Sequence, residues 1–226
     1  KNADPKDPGP VTTRGIEFCL NCHDTTQKRL ALPHPHTAAR GSCVSCHNPH
    51  NARKPKLLHD EAAKICLNCH TDIHKQLQGA KVQHAPVDDC VGCHDPHGSA
   101  TDRLLKKEYP ATFYAGFNLA AYALCFDCHD AKLVTAQTTT SETQFRDGSK
   151  NLHLLHVDRA DRGRTCRACH DIHASSQEHL LRDSVPYGPN KWPLKTNWVK
   201  TPTGGSCSKT CHATRSYDNT TREKTQ

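Results

Sequence analysis

Cysteine and histidine recur together in a fixed order along this chain of 226 residues. Six segments read Cys-x-x-Cys-His, and a seventh, Cys207-Ser-Lys-Thr-Cys211-His212, is one residue longer. Residues i and i+3 share one face of a helical turn, so both thiols can reach the vinyl groups of one porphyrin. The histidine that follows can then bind the iron from the same side. The pattern is typical of covalent c-type haem attachment.

The seven motifs use all fourteen cysteines of the chain. Zinc ribbons and redox pairs also contain Cys-x-x-Cys, and secreted disulfide scaffolds also have an even cysteine count. None of these alternatives requires a histidine after every second cysteine, so we predict seven haems c. The predicted haem-attaching cysteines are Cys19, Cys22, Cys43, Cys46, Cys66, Cys69, Cys90, Cys93, Cys125, Cys128, Cys166, Cys169, Cys207 and Cys211. The predicted proximal iron ligands are His23, His47, His70, His94, His129, His170 and His212.

The motifs form repeating doublets. Cys19-Leu-Asn-Cys-His matches Cys66-Leu-Asn-Cys-His, and Cys43-Val-Ser-Cys-His-Asn-Pro-His matches Cys90-Val-Gly-Cys-His-Asp-Pro-His. Repeats of this kind predict an elongated array in which each unit packs on its neighbours. We expect an extended N-terminal arm at 1–16, one seven-haem domain at 17–215 and a tail at 216–226. The domain divides into doublets at 17–60, 61–107 and 108–180, and a final haem at 181–215.

The composition is too polar for an ordinary protein core. Hydrophobic residues, cysteines included, make up 35% of the chain, aromatic residues make up 5%, and the mean hydropathy is −0.77. Such a chain cannot bury enough apolar surface by itself. We therefore expect the porphyrins to supply the missing apolar bulk. No stretch is long and apolar enough to predict a membrane span.

The histidines left over after proximal ligation are candidates for the opposite face of each iron. Seven of the eighteen histidines are proximal, which leaves eleven for seven irons, and the chain contains no methionine. Bis-histidine ligation is therefore predicted, and its lack of a thioether ligand favours low reduction potentials. The candidate distal ligands are His36, His50, His84, His97, His153, His156 and His173. His34 competes with His36, His74 is a further candidate, and His59 and His179 are weaker ones.

The alternation of a plain motif with Cys-x-x-Cys-His-x-(Pro/Ile)-His resembles the doubled-motif multihaem cytochromes of metal-respiring and related bacteria. The segment His153–His156 before Cys166 also resembles small periplasmic multihaem cytochromes. The resemblance covers roughly residues 17 to 212. It implies a mostly irregular fold with short helices around closely stacked haems, and electron transfer as the activity. The spacing in the seventh motif departs from the common pattern.

The formal charge of +7 needs correction for the cofactor. Each ferric haem c adds about −1, because two ionised propionates outweigh the charge of the iron–porphyrin core. Seven haems would cancel the excess, so the basic composition does not indicate nucleic acid or membrane binding.

Two classes of function fit these observations, an electron conduit and a multihaem reductase. A reductase needs an iron with an open face. Every motif here ends in histidine and distal histidines are in surplus, so we predict that the protein is not an enzyme.

The resemblance implies haem attachment outside the cytoplasm. It suggests an extracellular filament subunit, a homopolymer in which His34 or His36 binds a C-terminal haem of the next subunit. The alternative is a discrete periplasmic or porin-associated carrier. Expected partners are redox cytochromes and terminal electron acceptors such as metal oxides.

Overall fold

Short helices joined by irregular chain make up most of this protein. The computed structural model describes residues 15–207 and 210–220. Within these residues the longest helix has nine residues and ends at a glycine, a residue that helices often reach at their C-terminus. The α-helices, α1 to α9, are Gly15–Leu20, Asp24–Leu30, Thr37–Gly41, Ala62–Leu67, Thr71–Gly79, Cys90–Cys93, Ala123–Phe126, Lys132–Thr135 and Leu152–Val157. Single 3₁₀ turns lie at Cys43–Ser45, Pro55–Leu57, Asp102–Leu104, Ala120–Tyr122, Cys166–Ala168 and Glu178–Leu180.

The strands are equally short and pair only in small antiparallel ladders in the described chain. Strands β1 to β11 are His34–Pro35, Val82–Gln83, Gly98–Ser99, Arg146–Asp147, Lys150–Asn151, Ala174–Ser175, Ser184–Tyr187, Trp192–Lys195, Val199–Thr201, Gly204–Cys207 and Arg215–Asp218. The pairs are β1 with β3, β2 with β6, β4 with β5 and β7 with β8, and β10 lies between β9 and β11. The prediction of a mostly irregular fold with short helices is confirmed.

The chain forms two compact units. The first contains residues up to Thr71 together with Pro86–Lys107, and it holds the β1–β3 pair. The second contains Asp72–Ala85 and the chain from Glu108 onward, and it holds the other ladders. The predicted arm at 1–16 lies almost wholly outside the described residues, as does half of the predicted tail.

Few apolar side chains are buried, as the composition predicts. In the second unit the most enclosed is Tyr122, which has no exposed surface and meets Tyr109 edge to face. Leu30 and Leu105 are the buried leucines of the first unit. No helix in the described ranges is long and apolar enough to cross a membrane.

Candidate haem-binding sites

Each Cys-x-x-Cys-His motif of the common length forms a single helical turn. In all six, the backbone N–H of the histidine donates to the carbonyl of the first cysteine, over 2.9 to 3.1 Å. This bond closes a turn that brings the two cysteines and the histidine to one side of the backbone. The helical turn expected of the motif is confirmed at these positions. In the seventh motif, Ser208 and Lys209 lie outside the described residues. No disulfide joins the cysteines of the described chain.

Five of the seven proximal histidines face a second imidazole within their own unit. The ring centroids of these pairs are 6.1 to 6.5 Å apart. Four pairs have nearly parallel rings, with interplanar angles of 7° to 22°, and the fifth is tilted by 45°. The pairs, with the proximal residue second, are His36 and His70, His97 and His47, His84 and His129, His153 and His170, and His156 and His212.

The separation of these rings fits a metal ion between them. Rings in direct contact would lie about 3.5 to 4 Å apart. A metal–imidazole bond is about 2 Å long, so two imidazoles on opposite sides of one ion have centroids roughly 6 Å apart. The ten cysteines of these five motifs supply the thiols for porphyrin attachment. The residues present therefore fit bis-histidine haem, with both axial positions held by the protein.

Burial favours the protonation state that binds iron. It lowers the pKa of His153 to about 4, and the nearby His170 and His156 lower it further. Burial also lowers the pKa of His84, His97 and His156. These imidazoles are therefore neutral at neutral pH, and neutral imidazole is the ligand form of histidine.

A repeated turn orients the proximal histidine of the second motif in each doublet. Nδ1 of His47, His94 and His170 bonds a carbonyl nine residues further on, over 2.7 to 2.8 Å. Because a carbonyl only accepts, Nδ1 carries the proton in each of these bonds. The unprotonated Nε2 is then available to bind iron. These carbonyls belong to Lys56, Arg103 and His179.

The same turn has an unusual backbone. Lys56, Arg103 and His179, and the leucine after each, have φ between 55° and 59°. Residues other than glycine reach this left-handed region only at a cost of about 1 to 2 kcal/mol each. Sequence reasoning missed the turn. The signal that could have revealed it is the Leu-Leu pair that recurs about ten residues after the motif histidine in all three doublets.

Short strands position two of the facing histidines. His36 follows β1, its backbone N–H donates to the carbonyl of His97, and its Nδ1 lies 2.9 Å from the carbonyl oxygen of Pro96. His84 follows β2, its N–H donates to the carbonyl of His173, and its ring bonds the carbonyl of Ile172. The two sites have the same design, which fixes both the ring direction and the tautomer.

Helix α9 carries two more of the five facing histidines, His153 and His156. Asn151, which is 1% exposed, caps the helix by accepting from the N–H groups of His153 and Leu154. Its amide donates to the carbonyls of Leu133 and Ala136, over 3.0 and 2.9 Å. These bonds hold the start of the helix, so that His153 and His156 face different proximal histidines.

The remaining candidates have other surroundings. His50 and His23 are exposed, and neither has an imidazole opposite it anywhere in the described chain. The backbone N–H of His173 bonds Asp171, and its distal role stays a prediction. His59 bonds the carbonyl of Val44, and His74 lies beside Gln78. His179 meets Trp198 edge to face, and His34 lies in β1.

One expectation needs correction. His34 or His36 was expected to bind a C-terminal haem of an adjacent subunit. The ring of His36 instead faces His70, and the ring facing His212 is that of His156, from upstream in the same chain. The acceptor and one of the two donors are thus both engaged within the chain.

Cysteines of neighbouring motifs contact each other. The first cysteines of the two motifs in each doublet lie close enough for their thiols to interact: Cys19 and Cys43, Cys66 and Cys90, and Cys125 and Cys166. Porphyrins attached at such neighbouring sulfurs would start from adjoining points of the protein.

Residues 34–75 and 84–133 match the family model described as "Doubled CXXCH motif". Each matched segment contains two motifs and one pair of facing imidazoles, His36 with His70 in the first and His84 with His129 in the second. The match indicates a multihaem c-type cytochrome with covalently bound haem c, which implies electron transfer. No curated protein matches the sequence.

Proposed function

We propose that this protein is an electron conduit that carries seven covalently bound haems c and performs no substrate chemistry. The observation that supports this most is the set of five facing imidazole pairs at 6.1 to 6.5 Å. When bound, haem supplies reversible exchange of one electron between ferric and ferrous iron. An imidazole on each side of the iron excludes a substrate from direct coordination.

The contacts between motifs support passage of electrons from haem to haem. Neighbouring sulfurs, as at Cys66 and Cys90, would attach two porphyrins at adjoining points of the protein. Electron tunnelling falls off steeply with distance, so adjoining attachment favours rapid transfer within a doublet. The same contact recurs in all three doublets.

The reductase alternative has less support. It requires an iron with an open or displaceable face. The half-buried imidazoles of His153 and His156 oppose displacement, because each has a hydrogen bond at Nδ1. The haem at His23, which faces no imidazole of the described chain, is the place where a substrate could bind, so turnover assays test this haem first.

For assembly, we propose an extracellular protein that joins its haems to those of neighbours, as in a conducting filament. The alternative is a discrete periplasmic or porin-associated carrier. Joining is supported by the exposed His23, which faces no imidazole among the described residues. Electron microscopy of native material separates the two, since a carrier gives only single particles.

The haem count tests the proposed function. The denatured chain should weigh seven haem masses more than the polypeptide, because each of the seven motifs has its two cysteines and its histidine. An addition of six would mean that the longer Cys207–Cys211 motif is empty. A potentiometric titration should then show seven one-electron centres. Kinetic assays with nitrite or hydroxylamine should show no turnover, and turnover would favour the reductase.

A further inference from the structure

We infer that residues 50–52 form a docking site for a doubled-motif unit of another protein, with exchange of histidine ligands in both directions. The inference rests on the proposed function, because it takes the haems as bound. Its basis is an interface that occurs twice within this chain and that has a third, unfilled copy.

The two filled copies have the same backbone pattern. Strand β1, which precedes His36, pairs with Gly98–Ser99, and strand β2, which precedes His84, pairs with Ala174–Ser175. In both copies the histidine after the first strand is the incoming histidine, and the second strand is the receiving strand. The incoming histidine donates its backbone N–H to the carbonyl of the histidine just before the receiving strand, His36 to His97 in one copy and His84 to His173 in the other. Its ring also bonds the carbonyl of the residue just before that histidine, Pro96 or Ile172.

The filled copy in the first unit shows what docking delivers. The incoming strand brings His36 opposite the haem histidine His70. The motif that follows this strand brings its own haem histidine, His47, opposite His97 at the receiving site. One docking event therefore completes two irons, one on each side of the interface.

The third copy lies at Pro49, His50, Asn51 and Ala52. His50 follows His23 by 27 residues, the same spacing as His97 after His70, and the two segments read His-Asn-Pro-His-Asn-Ala and His-Asp-Pro-His-Gly-Ser. In the described part of the chain, residues 51 and 52 pair with no strand and the Pro49 carbonyl accepts no hydrogen bond. His23 and His50 correspondingly lack opposing imidazoles, so each feature of the filled interface has a free counterpart here.

A second copy of this chain is a poor occupant. The segments that could dock, those before His36, His84 and His153, already hold imidazoles opposite haem histidines of their own chain. Donating one of them would open another iron. The site therefore fits an extended, histidine-bearing segment of another protein with the same doubled-motif chemistry.

The first test uses the holoprotein and a blocked heptapeptide of residues 31–37, Ala-Leu-Pro-His-Pro-His-Thr. Without peptide, electron paramagnetic resonance should show that the haem at His23 is not bis-histidine, and the reduced protein should bind carbon monoxide at this haem. The peptide should convert this haem to the bis-histidine form, and bind about tenfold or more tightly than free imidazole because its backbone also forms hydrogen bonds.

Two control peptides isolate the contacts. Replacement of the second peptide histidine with alanine should abolish the conversion. Methylation of the backbone nitrogen of that histidine should weaken binding roughly fivefold, which is the size of one lost backbone hydrogen bond. Equal affinities for the methylated peptide, the parent peptide and imidazole would overturn the docking site.

The second test addresses His50. A monohaem peptide with one vacant axial position should bind the holoprotein with a bis-histidine spectrum, and His50→Ala should abolish this binding while His59→Ala retains it. Undiminished binding to the His50→Ala variant would overturn the exchange. Seven bis-histidine haems in the protein alone, or a dimer that His50→Ala dissociates, would also overturn the inference. The haem mass, measured on the same sample, reports separately on the proposed function.

Discussion

His153 and His156 lie three residues apart and face different haem histidines. Their rings lie 6.3 Å from His170 and 6.5 Å from His212, measured between centroids. Residues three apart lie on the same face of a helix. A short helix does not by itself fix the directions of two such rings, so each ring needs a further contact. Here Thr143 bonds Nδ1 of His153, and the carbonyl of Leu152 bonds Nδ1 of His156. Each imidazole is therefore fixed by its own partner.

Replacement of either histidine should open one particular iron. The variant His153→Ala should add one carbon monoxide equivalent per reduced chain at the haem of His170, and His156→Ala should add one at the haem of His212. Titration with carbon monoxide measures the count. The exposed His74, replaced by alanine, is the matched control and should add none. An unchanged count in His153→Ala would show that this ring is not an iron ligand.

At the scale of the element, the local parts of each site could be predicted and the distant parts could not. The motif turn closes within five residues, so its geometry follows from the motif itself. The pairing of His36 with His70, or of His156 with His212, joins positions 34 and 56 residues apart and depends on tertiary packing. Histidine spacing supplied the candidates, but it could not select partners, because a histidine near one motif faces the proximal histidine of another.

The irregular fold is what the family resemblance implied, and the polar composition agrees with it because such a chain cannot bury enough apolar surface to stabilise long elements. The left-handed turns did not follow from composition. Lys56 and Leu57 are poor residues for φ near 57°, so propensity argues against the turn that they form. Strained backbone of this kind persists where the surrounding structure stabilises it. Here the strained turn directs a backbone carbonyl at a haem histidine.

Two substitutions at Lys56 test the role of this turn. The Lys56 side chain is exposed, so a change there alters mainly the backbone. The variant Lys56→Gly should keep the stability within about 1 kcal/mol, because glycine adopts positive φ freely. The variant Lys56→Pro should cost about 3 kcal/mol or more, because proline fixes φ near −65°, and it should shift the potential of the haem at His47. Denaturant unfolding and potentiometry measure the two effects, and equal behaviour of the variants would exclude the role.

At the scale of the whole molecule, charge follows the redox state. The polypeptide has a formal net charge of +7, and seven ferric haems bring the total close to zero, at about −1 each. Every electron added to the iron lowers the total by one. The fully reduced protein should therefore carry roughly −7, unless protons enter with the electrons.

The reduced protein should bind an anion-exchange matrix at pH 7 and low salt, and the oxidised protein should pass through. Retention should disappear near 1 M salt, where the screening length falls to about 3 Å. Proton uptake on reduction, measured in unbuffered solution, is the control, because one proton per electron would keep the net charge constant. Equal elution of both forms without proton uptake would contradict a charge change of seven. A difference in elution smaller than expected for seven charges would give the number of electrons that enter without a proton.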